Sequence, residues 1–298
     1  MGRGLYAKQN VAIVLLVSIW PCLFPLKKEV SAAFDLSRLP RDIAQHIEGR
    51  SWQHDDIGLS GSTILLFDDR VLKIAPQNRF TINETVLLYW LEGKLPVPKV
   101  IQAATQDGVS YLLMTKLIGE MAMSDTSLQH MDSTVRALAA GLKLLWSVDI
   151  SHCPCTNTLP EKLEQARHNI EHDLVDVQDF NPETFGEEGF TSVPQLYAFL
   201  EENRPAEDLV FSHGDYCLPN VFHQNGVVSG FLDWGTGGIA DRWQDIALCV
   251  RSLRYNYIEC AGYTESDCNV YKQLLFSELG MEPDEAKIRY YILLDELF

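Results

Sequence analysis

Between residues 51 and 114, hydrophobic and polar residues alternate in short runs, and this period of two predicts β-strands. The runs read STILLF, RVLKIA and SYLLMTKL, and Asp-Asp and Asp-Gly pairs typical of turns separate them. One helix is predicted among the strands, at about residues 81–91, ahead of the proline-flanked segment KLPVPKV. Residues 36–49 place leucine and isoleucine at helical spacing and end on a glycine, which predicts one short amphipathic helix before the strands.

Beyond Gly119 the strand pattern largely vanishes, and apolar residues recur three and four positions apart, as in amphipathic helices. The segments STVRALAAGLKLLWSV, EKLEQARHNIEHDLV and VPQLYAFLEEN show this spacing. The pattern therefore predicts an α+β fold with two lobes. The small β-rich lobe covers residues 35–117, and the larger helical lobe covers residues 118–298.

Composition adds a charge argument to this picture. The chain has 298 residues, and 41 acidic against 24 basic residues give a formal net charge of −17. A nucleic-acid partner would require the opposite sign, so the balance argues against one and favours a cationic partner. The hydrophobic content of 46% supplies ample core for a folded protein of this length.

Residues 1–34 carry a pattern of their own. An uncharged, mostly apolar run at residues 11–26 follows Arg3 and Lys8, which is the outline of a secretory signal peptide and is short for a membrane span. The alternative is a non-catalytic extension of a cytosolic enzyme. The seven cysteines show no disulfide spacing and fit free thiols, so we expect a cytoplasmic protein without stable membrane association, with export as the alternative.

The stretch FSHGDYCLPNVF carries the chemistry-bearing residues of the second lobe. Asn220 follows Asp215 by five residues and Asp233 follows it by eighteen, and protein kinases use the same intervals. Oxygen ligands suit Mg²⁺, so Asn220 and Asp233 are the candidate metal ligands and Asp215 is the candidate base for an attacking hydroxyl. We expect His213 to hold the loop by hydrogen bonds rather than to act as a base.

The first lobe offers the partners that such a site requires. Lys73 shares a strand face with Val71 in RVLKIA, and Glu84 on the predicted helix can pair with it. The segment GLSGST, residues 58–63, joins a turn to a strand and could lay backbone N–H groups over phosphates, although an ordinary hairpin turn explains it equally well. Residues 114–117 occupy the place of a kinase hinge.

At this point the sequence resembles the aminoglycoside 3'-phosphotransferase family, antibiotic kinases with a protein-kinase-like fold, and within it the type III branch. The likeness runs from about Asp35 to Phe298, and the matching segments are WLEGKLPVPKV, DISHCPCTN, LVFSHGD, SGFLDWG, ADRWQDIALCVRS and YYILLDELF. The resemblance implies that the first lobe binds the nucleotide and that the second lobe carries catalysis and binds the aminoglycoside.

The resemblance also implies roles for individual residues. The family's nucleotide-binding positions match Ser60, Lys73, Glu84, Lys116 and Leu117. Asp215 matches the catalytic base, and Asn220 and Asp233 match the magnesium ligands. The antibiotic-binding positions match Glu187, Arg251, Asp295, Glu296 and Phe298. Asp241 and Asp245 are expected to be structural, one capping a helix and one bracing the catalytic loop.

The function implied is transfer of the γ-phosphate of ATP, with Mg²⁺, to the 3'-hydroxyl of kanamycin-like aminoglycosides, which would confer resistance. The polycationic antibiotic would account for the acidic composition. A kinase of choline, homoserine or a sugar on the same fold is the nearer alternative. A catalytically inactive cation-binding protein and a metal-dependent phosphohydrolase are the others. The protein is expected to be a monomer or a homodimer.

Overall fold

A five-stranded antiparallel sheet forms the first lobe of the computed structural model, which describes residues 36–55, 62–176, 184–185 and 189–298. The predicted extension at residues 1–34 lies outside the described residues. The strands, in the spatial order β1-β2-β3-β5-β4, are β1 Gln53–Asp55, β2 Thr63–Leu66, β3 Arg70–Pro76, β4 Val100–Gln106 and β5 Val109–Thr115. The three predicted runs form β2, β3 and β5, whereas β1 and β4 were not predicted. No residue of β4 is fully buried, and its sequence VIQAATQ shows no clear alternation of apolar and polar residues.

Strand β3 divides its side chains between two hydrophobic clusters. Leu72 and Ile74 pack towards Ile43 on helix α1, Arg41–Ile47, while Val71 belongs to the core that continues into the second lobe. Because side chains alternate along a strand, Lys73 points to the same side as Val71. The packing of the sheet therefore directs Lys73 towards the second lobe.

The short helix predicted at residues 36–49 is present, but it begins later than predicted, at Arg41. The structure has a 3₁₀ helix, Leu36–Arg38, and then α1, and the break falls at Pro40. A proline disfavours the helical region for the residue before it, so the helical pattern does not continue through this position.

Helix α2, Arg79–Leu91, begins two residues earlier than predicted. The side chain of Asn78 accepts hydrogen bonds from the backbone N–H groups of Phe80 and Thr81, and Thr81 Oγ1 accepts from the backbone N–H of Asn78. This reciprocal cap satisfies donors that would otherwise lack partners at the helix start. It fixes the helix on which Glu84 is carried.

Helices make up most of the second lobe. They are α3 Asp125–Gln129, α4 Met131–Trp146, α5 Leu159–Glu171, α6 Val193–Glu202, α7 Arg242–Tyr255, α8 Glu265–Leu279 and α9 Glu285–Asp295, with a π-helix at Asn256–Cys260. The three predicted helical segments form α4, α5 and α6. Asp241 caps α7 by accepting from Trp243 N at 3.3 Å, as expected. None of the helices in the described ranges is long and apolar enough to cross a membrane.

In the described part of the second lobe, five short strands lie among these helices, and the sequence pattern predicted none of them. They are β6 Glu120–Met121, β7 Leu209–Ser212, β8 Val221–Gln224, β9 Val227–Phe231 and β10 Gly238–Asp241. Strand β8 lies between β6 and β9 in one sheet, and β7 pairs with β10. They were missed because their buried residues tend to be consecutive rather than alternate, as in residues 210–212 of β7 and 221–223 of β8, and so show no period of two. The predicted catalytic base and magnesium ligands, Asp215, Asn220 and Asp233, lie beside the ends of β7, β8 and β9.

Candidate active site

The loop after β7 carries Asp215 and is braced from below by Asp245 on α7. Asp245 is fully buried, and its carboxylate accepts from the backbone N–H of His213 at 2.7 Å and of Gly214 at 2.9 Å. Gly214 has φ +82°, and a Cβ there would collide with the carbonyl of Thr236. The loop therefore requires glycine at this position and a buried carboxylate beneath it, so the structural role expected for Asp245 is confirmed.

His213 joins this loop to the strand that leads to Asp233. Its Nε2 lies 2.8 Å from the carbonyl oxygen of Leu232, and its Nδ1 lies 3.3 Å from the backbone N of Asp215. These contacts require Nε2 to donate and Nδ1 to accept, which is the neutral tautomer. Burial lowers the pKa of His213 to about 4 and so keeps the ring neutral. The predicted structural role is confirmed.

The carboxylate of Asp215 has a hydrogen-bond donor on each oxygen. Asn220 Nδ2 donates to Oδ2 at 2.9 Å, and the Cys217 thiol donates to Oδ1 at 3.0 Å. Burial raises the pKa of Asp215 to about 6; the Asp295 and Asp233 carboxylates add to this rise, and the Cys217 thiol and Arg251 oppose it. The group is therefore ionised at neutral pH but accepts a proton readily, as general-base chemistry requires.

Asn220 and Asp233 are brought together by the β8–β9 hairpin. Asn225 and Gly226 form its turn with φ +52° and +77°, which is the conformation of a two-residue hairpin loop. Val221 pairs with Phe231, and Leu232 N donates to the carbonyl of Asn220 at 2.9 Å. The interval of thirteen residues between the two side chains is thus the length of one closed hairpin. The Asn-Gly pair could have predicted this hairpin from the sequence.

Lys73 lies between two carboxylates from different lobes. Its Nζ is 2.8 Å from Glu84 Oε2 and 3.2 Å from Asp233 Oδ1. Burial disfavours the ammonium, but Asp233 and Glu84 outweigh this effect and hold the pKa of Lys73 above its ordinary value. Asp233 itself has φ +61°, which is uncommon for a residue with a side chain. A strained backbone position thus presents this carboxylate to the lysine.

The side chains of Asn220 and Asp233 fit a magnesium ion. Asn220 Oδ1 is buried and has no hydrogen-bond partner in the described part of the chain, whereas Nδ2 of the same amide is fully engaged with Asp215. An unpartnered buried oxygen costs free energy unless a ligand satisfies it. Asn220 and Asp233 supply hard oxygen ligands, and Mg²⁺ is usually bound by one or two carboxylates together with substrate phosphates.

The two predicted hinge residues, Lys116 and Leu117, differ in whether their backbone N–H groups already have a partner. The backbone N–H of Lys116 donates to the carbonyl of Asp69 at 3.1 Å, so the N–H of Lys116 is already occupied. The backbone N–H of Leu117 has no protein partner among the described residues. Its side chain packs against Gly230 and lies beside a cluster that includes Leu232. An adenine base bound at this segment would therefore find a free backbone donor at Leu117 rather than at Lys116.

The segment from Asp295 to Phe298 is held near Asp215 by contacts from several elements. Arg251 pairs with Asp295 at 2.7 Å. Thr184 Oγ1 donates to Glu296 at 3.2 Å, and Asn169 Nδ2 donates to the carbonyl of Leu297 at 2.9 Å. The ring of Phe298 is 44% exposed and lies 5.1 Å from Lys162 Nζ. The predicted antibiotic-binding residues of the described chain thus form one cluster.

Two predicted positions, Ser60 and Glu187, lie outside the described residues.

Lys162 was not predicted, although it is buried beneath the cluster of predicted antibiotic-binding residues. Burial lowers its pKa, and the Asp295, Asp245 and Asp215 carboxylates oppose that effect. Its position within a helix with ordinary amphipathic spacing gave no signal of this environment.

Comparisons with known proteins identify the family to which this chain belongs. The phosphotransferase enzyme family matches residues 52–286. An aminoglycoside 3'-phosphotransferase of Enterococcus faecalis is 43% identical over 217 residues, which cover 72% of this chain and 78% of that relative. One from Staphylococcus aureus is 42% identical over the same shares of the two chains. The chain belongs to the aminoglycoside 3'-phosphotransferase family.

A solved structure extends the comparison to the fold. The crystal structure of an aminoglycoside 3'-phosphotransferase of type VIII matches with a TM-score of 0.71 and 27% identity, covering 85% of this chain and 96% of the other. The fold class, the family and the phosphotransferase activity expected from the sequence are therefore confirmed. Assignment to the type III branch of the aminoglycoside 3'-phosphotransferases stays a prediction.

Proposed function

We propose that the protein transfers the γ-phosphoryl group of ATP to the 3'-hydroxyl of a kanamycin-like aminoglycoside. The observation that carries the proposal is the convergence of Asp215, Asn220 and Asp233 beside Lys73. The family likeness at 43% identity supports the acceptor class. ATP is a cytosolic metabolite, so we place the reaction in the cytoplasm, with the first lobe, residues 35–117, binding the nucleotide.

The chain's own residues account for the chemistry. Lys73 neutralises charge on the ATP phosphates and is oriented for this by Glu84. Asp215 accepts the proton of the attacking hydroxyl, while the oxygen of that hydroxyl forms a bond to the γ-phosphorus. The bond from that phosphorus to the bridging oxygen breaks, and ADP leaves with the electron pair. Mg²⁺ held by Asn220 and Asp233 would neutralise charge on the phosphates.

Negative charge around Asp215 suits a polycationic acceptor. The Asp233 and Asp295 carboxylates lie close enough to Asp215 to raise the pKa of its carboxyl group. The net charge of the whole chain is −17. An ammonium group of the acceptor would relieve this repulsion on binding. Asp295, Glu296 and Phe298 supply the wall of the acceptor site, and Arg251 keeps Asp295 in place.

The test is ADP release by the full chain with kanamycin, amikacin and a 3'-deoxy aminoglycoside. We expect turnover with kanamycin and none with the 3'-deoxy compound, since the latter lacks the acceptor hydroxyl. Asp215→Ala should abolish turnover and leave ATP binding largely intact. ADP release with choline, homoserine or a sugar and with no aminoglycoside would overturn the proposal. So would phosphate release from ATP alone, or aminoglycoside binding without turnover.

A further inference from the structure

The Cys217 thiol contacts the reacting carboxylate from a side that the proposed mechanism does not use. Its Sγ donates to Asp215 Oδ1 at 3.0 Å, while Asn220 Nδ2 occupies Oδ2 at 2.9 Å. These two side chains are the hydrogen-bond donors to the Asp215 carboxylate in the described part of the protein. One donor on each oxygen opposes rotation of the carboxylate about its Cβ–Cγ bond.

A tight backbone turn brings the Cys217 thiol close to the Asp215 carboxylate. Cys217 N donates to the carbonyl of Asp215 at 2.9 Å, and this tight turn folds the thiol back over the carboxylate. Cys217 then caps the 3₁₀ helix Leu218–Asn220 in an extended conformation, with φ −99° and ψ 157°. The same turn therefore delivers both donors, Cys217 from its start and Asn220 from its end.

The thiol remains a donor at neutral pH. Cys217 is only 6% exposed, and burial together with the Asp215 carboxylate raises the pKa of its thiol well above the ordinary value. The group is therefore S–H rather than thiolate. A thiol is a weak donor, but a charged acceptor strengthens the hydrogen bond.

We propose that Cys217 is a positioning residue for phosphoryl transfer, whose S–H group fixes the orientation of the Asp215 carboxylate towards the acceptor hydroxyl. The inference rests on the proposed function for its reaction and on the Cys217–Asp215 contact for its geometry. Cys217 touches neither substrate in this role. Its loss should therefore lower kcat and leave the KM values for ATP and aminoglycoside unchanged.

The kinetic test compares Cys217→Ala, which removes the donor, with Cys217→Ser, which keeps one. We expect kcat to fall about tenfold in the alanine variant, the effect of one charge-assisted hydrogen bond, and to recover largely in the serine variant. A packing role predicts the opposite order, because a buried hydroxyl replaces a thiol less well than a methyl group does. Cys155→Ala is the control, since Cys155 is similarly buried, at 8% exposure, and does not contact Asp215.

A spectroscopic readout separates this inference from the choice of acceptor. The S–H stretching band of Cys217, isolated as the Raman difference between the wild type and Cys217→Ala, should shift to higher wavenumber when Asp215→Asn weakens the acceptor. An unchanged band, or a serine variant as slow as the alanine variant, overturns the proposal. A shifting band in a protein that phosphorylates no aminoglycoside supports the contact and overturns the proposed acceptor.

Discussion

At the scale of single residues, the site keeps Asp215 in a state that is poor for stability and useful for catalysis. Its carboxyl is raised to a pKa of about 6, chiefly by burial and then by neighbouring carboxylates. The ionised form at neutral pH therefore costs folding free energy. The two donors on its oxygens reduce this cost without removing it, which is the usual compromise at an active site.

Asp215→Asn should lower activity strongly and stabilise the protein. The general-base contribution predicts a fall in kcat of about 10²–10⁴-fold. Wild-type Asp215 binds its proton more tightly when folded, so its contribution to stability falls as the pH rises from about 4 to about 6. The variant lacks this loss and should gain roughly 3 kcal/mol of unfolding free energy at pH 7. Denaturant unfolding at pH 4 and pH 7, without nucleotide or metal, measures it.

Asp68→Asn, at an exposed loop position, is the matched control for the amide substitution. It should leave kcat unchanged and alter the unfolding free energy at pH 7 by no more than about 0.5 kcal/mol, because surface substitutions away from special features have small effects. The opposite result would be an Asp215→Asn variant that is less stable than the wild type at pH 7, or that gains the same unfolding free energy at pH 4 and at pH 7. Either outcome would show that burial does not destabilise the Asp215 carboxylate.

At the scale of elements, hairpin β8–β9 sets the spacing of the proposed magnesium ligands, Asn220 and Asp233. Its turn closes through two consecutive residues with positive φ, Asn225 and Gly226. The hairpin β4–β5 has the same turn at Asp107 and Gly108, far along the chain from the predicted magnesium ligands. The two hairpins therefore allow one backbone perturbation to be compared at two places.

Gly226→Ala and Gly108→Ala should each cost roughly 1 kcal/mol of stability, because alanine disfavours positive φ. Steric overlap does not distinguish them, since a Cβ at Gly226 makes only an ordinary contact with Ser133 and one at Gly108 meets nothing within 4 Å. Only Gly226→Ala should raise the Mg²⁺ concentration needed for half-maximal activity, by about two- to fivefold. Metal titrations of both variants measure this, and equal values would contradict the role assigned to the hairpin.

At the scale of the whole molecule, the charge of −17 should act on the two substrates in opposite directions. It attracts a polycationic aminoglycoside and repels ATP, and salt screens both effects over about 10 Å at 0.1 M. We expect kcat/KM for kanamycin to fall as ionic strength rises from about 0.02 to about 0.3 M, while kcat/KM for ATP does not fall. Parallel salt dependences for both substrates would argue against electrostatic attraction of the acceptor.

The sequence by itself determined the features that depend on neighbouring positions. Helical spacing located α4, α5 and α6, and alternation along β3 placed Lys73 on the correct face. The intervals among Asp215, Asn220 and Asp233 indicated a shared site, because protein kinases use the same intervals. Helical spacing and strand alternation are local properties, and the chain geometry that creates them is the same in every fold.

Only the tertiary structure decided what each group experiences. Lys73 meets Asp233, which is 160 residues away, and Lys162 is buried among carboxylates from other helices. The shift in the pKa of Asp215 depends on desolvation and on Asp295, and the occupied N–H of Lys116 depends on Asp69. Burial and Coulomb interactions act through space between residues that sequence spacing does not relate, so no local pattern could have revealed them.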